Sequence, residues 1–88
     1  MEEIVTLAKE ILAENDGLVQ ALGVLEQFYT TECSEWIGTE QWASSYLGAI
    51  YFSARGRFEE FHQKFEGLSK TQKIEAAQTI MQAKGATG

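Results

Sequence analysis

Apolar residues recur along this chain at spacings of three and four, and five segments carry the pattern. In the first, Glu2 to Glu14, the residues Ile4, Leu7, Ala8, Ile11 and Leu12 fall on one side of a helix. Glu2 and Glu3 open it, where the peptide dipoles favour acids. Asn15 and Gly17 tolerate the left-handed backbone that ends a helix, and Asp16 is the expected cap of the next. The second segment, Gly17 to about Thr31, places Leu18, Ala21, Leu22, Leu25, Phe28 and Tyr29 on one face, widened by Val19 and Val24. An apolar surface that wide predicts a central helix.

Polar and β-branched residues weaken the helix after Thr31, and Gly38 closes the irregular stretch. Thr39 caps a third helix, with Trp42, Ala43, Tyr46, Leu47 and Ile50 as its buried stripe. A fourth follows Gly56, with Phe58, Phe61, His62, Phe65 and Leu68 in helical register. Ser69 and Gln72 form a capping box for a fifth, which carries Ile74, Ala77, Ile80 and Met81 and stops at Lys84-Gly85. No strict alternation is sustained, and the chain has no proline. The expectation is an all-α fold: a compact bundle of four to five short helices in one domain over residues 1–84, with a frayed tail over 85–88.

The run from Ile50 to Gly67 holds both arginines, the only histidine and five of the ten aromatic residues. Base stacking needs exposed rings amid positive charge. Here Phe58, Phe61 and Phe65 share one helical face, which predicts a buried stripe, and Glu59 and Glu60 oppose phosphate. Glu60 and Lys64, four apart, are placed to pair. Arg55 and Arg57 around Gly56 make a compact donor cluster, a possible anion-binding site. His62 has no second histidine beside it, so no metal site is expected. Leu47-Gly48, Tyr51, Gly56 and Phe58 resemble the helix-turn-helix core of a tetratricopeptide repeat. The likeness covers about a quarter of the chain, puts Phe61 where that family has a small residue, and has no second copy. It implies an antiparallel helical hairpin at about 39–67.

Composition sharpens this picture. The chain has 88 residues, 44% of them hydrophobic and 11% aromatic, enough for one packed core. Its net charge of −6 is unevenly spread: residues 1–54 hold nine acids and one base, and residues 55–88 hold six bases and four acids. That balance disfavours nucleic acid, where positive charge supplies most of the affinity. Cys33, the only cysteine, forms no disulfide within the chain and reads as a small, partly buried side chain between Glu32 and Glu35. With an acidic N-terminus and no apolar span of membrane length, the expected setting is cytoplasmic, with no membrane contact.

Catalytic patterns are missing. No phosphate loop or nucleophile elbow is present, and paired acids such as Glu2-Glu3 are adjacent, so they point apart on a helix. Neither an enzyme nor a cofactor is expected. Binding remains. Trp36, Ile37 and Trp42 flank Gly38 in the irregular connection, and Glu32, Glu35 and Glu40 surround them. Tryptophan is favoured at interface hot spots, so these six residues are the expected partner-binding site. The expected function is a small acidic regulator or inhibitor that docks on another protein, one with a basic surface. Small helical regulators of phages and mobile elements have this make-up, an analogy of type. The alternative is a homodimer or other assembly subunit, since apolar stripes occur on all five helices. A nucleic-acid binder using Arg55, Arg57, Lys64, Lys70 and Lys73 ranks last.

Overall fold

Three short polar side chains set where helices begin. In the computed structural model, which describes residues 2–87, Asn15 accepts from the Leu18 N–H at 3.1 Å and Thr39 Oγ1 from the Trp42 N–H at 3.2 Å. Ser69 and Gln72 close a reciprocal capping box at 3.0 and 3.2 Å. Asn15, rather than the expected Asp16, is therefore the cap of the second helix. The elements are α1 (Glu2–Ala13), α2 (Asp16–Thr31), α3 (Glu40–Phe52), α4 (Phe58–Glu66) and α5 (Lys70–Thr87). Two 3-10 turns, Ser34–Trp36 and Arg55–Arg57, complete the connections. The described residues are thus all-helical, as the periodicity predicts.

Gly56 lies in the second 3-10 turn, so α3 and α4 are separate helices that pack on each other. That is the pair of consecutive, packed helices expected over 39–67. The expected stop at Lys84-Gly85 differs: α5 continues through Gly85 to Thr87, and Gly88 lies outside the described residues. Glycine in a helix costs about 1 kcal/mol, which lowers helicity without forbidding it.

The organising helix is α3, not α2. It shares its largest interface with α5 and also touches α1, α2 and α4. Trp42, Ala43, Tyr46, Leu47 and Ile50 on α3 are fully buried, as are Ala76, Ala77 and Ile80 on α5. Alanines on both helices leave room between them for the large rings of α3. Ile4, Ala8 and Ile11 of α1 and Phe61 of α4 close the core. The Cα radius of gyration is 11.9 Å, close to the roughly 12 Å of a tightly packed chain of this length.

The second helix sits at the edge. Only Leu18, Leu22 and Tyr29 of α2 are buried, while Ala21 is exposed, Val24 is 70% exposed and Phe28 49% exposed. Its apolar width therefore does not reflect a central position. The expected phenylalanine stripe on α4 also narrows: Phe61 is buried, Phe65 is half-buried, and Phe58, the first residue of its helix, is exposed.

Candidate functional site

An aromatic corner forms where α2 ends. The Cys33 and Ser34 carbonyls accept from the Trp36 and Ile37 N–H groups at 2.9 and 3.3 Å, which winds the 3-10 turn. Thr39 then fixes the far side: its N–H and its hydroxyl both donate to the Trp36 carbonyl, at 3.0 and 2.6 Å. Gly38 makes the reversal between them with φ +92°, a backbone conformation that glycine adopts without steric cost. The Trp36 backbone is thus tied on both sides.

Its ring is supported from below. Trp36 stacks on buried Tyr29 at 6.5 Å and 28°, and Tyr29 meets Trp42 edge-on at 6.4 Å. Trp42 in turn lies 6.1 Å from Tyr46. Trp36 is 43% exposed, the outermost ring of this series. Trp42, expected at the partner-binding site, is fully buried and cannot present its ring to a partner. The apolar stripe it shares with Tyr46 and Ile50 outweighs its place near the connection. Its indole N–H finds no acceptor among the described residues. An orphaned donor costs about 1–3 kcal/mol, while burying some 200 Å² of ring returns about 5 kcal/mol, so burial wins. Ile37 is half-buried against the core.

The acids divide into matched and unmatched groups. Arg57 Nη1 lies 2.6 Å from Glu10 and 3.8 Å from Glu14, and its Nε lies 3.3 Å from Glu60. The hydrogen bond it donates to Glu10 is the main reason its proton is held even more tightly than usual. The chain's own carboxylates thus occupy Nη1 and Nε of Arg57, and an anion would have to compete with them. The Arg55 side chain lies outside the described residues. Lys64 pairs with Glu3 at 3.4 Å, not with Glu60, which Arg57 has taken. Lys70 reaches Glu40 at 3.7 Å, which removes Glu40 from the set of free acids. Glu32 and Glu35, both exposed beside Trp36, have no ion pair among the described residues. Cys33 between them is half-buried.

Two further features lie along α3. Tyr46 donates to the Glu26 carboxylate at 2.8 Å, tying α3 to α2. Burial first, then that hydrogen bond and the carboxylate's charge, hold the Tyr46 phenol protonated far above its usual range. At the other end of α3, Tyr51 sits among Phe58 at 4.5 Å, Phe52 at 5.0 Å and His62 at 5.2 Å. Phe52 is 81% exposed there. Phe52, Phe28 and Val24 are surface residues that helical periodicity does not single out. Shared periodicity tells which residues face one way, not whether another element covers them.

No family model, curated protein or solved structure matches this chain. Fold and surface alone define its class: among the described residues, a small all-α bundle with an aromatic corner at Trp36 and exposed carboxylates, Glu32 and Glu35, just before it in the chain. No helix among the described residues is long and apolar enough to cross a membrane.

Proposed function

We propose that this chain is an acidic docking module, a regulator or inhibitor that binds another protein by seating Trp36 in an apolar recess rimmed by lysine or arginine. The observation that carries this reading is the 43% exposed Trp36 stacked on buried Tyr29, with Glu32 and Glu35 near it in the chain, exposed and without an ion pair among the described residues. Covering the open part of an indole, on the order of 100 Å², contributes about 2–3 kcal/mol. Stacking on Tyr29 has already restricted the ring, so binding forfeits little side-chain entropy. The two carboxylates favour a basic rim by charge-assisted hydrogen bonds and speed encounter.

Nucleic acid fits less well. Arg57, Lys64 and Lys70 each face a carboxylate of the chain itself, so phosphate must compete for them. A lone, half-buried Cys33 suits a reducing, cytosol-like setting.

Capture from host lysate tests the reading. Trp36→Ala is expected to reduce capture of a stoichiometric protein partner at least tenfold, with an unchanged far-ultraviolet circular dichroism spectrum. Glu32→Gln with Glu35→Gln should weaken it further at low salt. Phe52→Ala, at the opposite end of α3, should leave it intact. Equal capture by the Trp36 variant refutes the docking site.

A further inference from the structure

The outer face of α2 is unlike a solvated helix face. Gly17, Gln20, Ala21, Val24, Gln27, Phe28 and Thr31 are all exposed and none is charged. At about 100° per residue they share an arc of roughly 120°, turned away from buried Leu18, Leu22 and Tyr29. The exposed face of an amphipathic helix ordinarily carries charge, and 23% of this chain is charged. The centre of the arc, Gly17, Ala21, Val24 and Phe28, follows the four-three-four spacing of a coiled-coil seam.

We propose that a second copy of this chain packs its α2 antiparallel on this face, making the docking module a two-ended dimer. The side-chain sizes favour that direction. Centred between Leu22 and Gly23, the antiparallel register sets Gly17 against Phe28 of the other copy and Ala21 against Val24. Every layer then joins a small residue to a large one, as close packing requires. A parallel pairing stacks Phe28 on Phe28 and Gly17 on Gly17.

Charge does not choose between the directions. Parallel helices bring Asp16 onto Asp16 and Glu32 onto Glu32, and the antiparallel register leaves each Asp16 only about 5 Å along the joint from Glu32 of the other copy, from the 1.5 Å rise per residue. The net charge of −6 on each copy still opposes association, and this uncharged face is where the opposition is least. The seven exposed residues offer on the order of 500 Å² per copy, or about 1,000 Å² in total, the lower bound for a specific interface. The dimer is therefore a weak, transient one. Trp36, Glu32 and Glu35 lie beyond the seam, one set at each end.

Sedimentation equilibrium from 1 to 500 µM tests this. The wild type should fit a monomer–dimer equilibrium that tightens as salt screens the net charge. Ala21→Glu and Val24→Lys, both at exposed helical positions that preserve the fold, should each be monomeric at 200 µM. Mixed together they should form a heterodimer, because the antiparallel register brings the introduced carboxylate against the introduced ammonium. A wild type that is monomeric at 500 µM overturns the proposal, as does a mixture that stays monomeric. Trp36→Ala must dimerise like the wild type while losing the partner, so the dimer and the docking site fail separately.

Discussion

Tyr46 shows how one buried polar group can tie two helices together. Its ring is fully buried in α3 and its hydroxyl donates to Glu26 of α2. Tyr46→Phe keeps the ring and removes the bond, so chemical denaturation should show a loss of about 1–2 kcal/mol. The sign of the pH dependence follows from the raised phenol. Folding favours the protonated form, so this contribution is complete below the ordinary tyrosine value of 10.0 and fades as pH climbs above it. Stability measured from pH 8 to 11.5 should fall more steeply for the wild type than for Tyr46→Phe. Equal slopes would show that the phenol titrates normally. The tryptophans mark what single residues reveal in a sequence. The periodicity that puts Trp42 beside Ala43, Tyr46 and Ile50 was enough to bury it. The exposure of Trp36 was legible only as a possibility, because it depends on a 3-10 turn that no spacing announces.

Helix starts were readable because they are local. Thr39, Ser69 and Asn15 each need only a side chain within three residues of the N–H they cap. The placement of α2 was not readable, because an apolar stripe does not say whether a neighbour covers it. Glycines separate the same two cases. At Gly48, within α3, an added Cβ meets nothing within 4 Å. Gly48→Ala should therefore stabilise the fold by about 0.5–1 kcal/mol, raising the melting temperature by a few degrees. Gly38 has φ +92°, which an L side chain adopts at a cost of about 1–2 kcal/mol. Gly38→Ala should lower the melting temperature and, by shifting the turn that holds Trp36, weaken partner capture as well. Opposite signs for the two alanines are the expected result of thermal melting; a gain at Gly38 would mean that the turn is not held there.

Across the whole molecule, the charge asymmetry serves two purposes that the sequence presents as one. Arg57, Lys64 and Lys70 of the basic half lie against Glu10, Glu3 and Glu40 of the acidic half. Much of the polarity visible along the chain is thus cancelled by folding, which the sequence cannot display because the partners stand far apart in it. Of the acids left without an ion pair among the described residues, Glu32 and Glu35 are exposed and stand just before the exposed tryptophan in the chain. Two kinds of surface chemistry therefore respond oppositely to salt. Docking on a basic rim weakens as ions screen Glu32 and Glu35, whereas pairing of two copies strengthens as ions screen their repulsion. Raising salt from 50 to 500 mM should cut partner association rates about tenfold or more, and Glu32→Gln with Glu35→Gln should flatten that dependence while leaving dissociation nearly unchanged. Trp36→Ala should do the reverse, speeding dissociation with the salt slope preserved. If the tryptophan variant flattened the slope and the glutamine pair did not, the carboxylates would have no part in encounter.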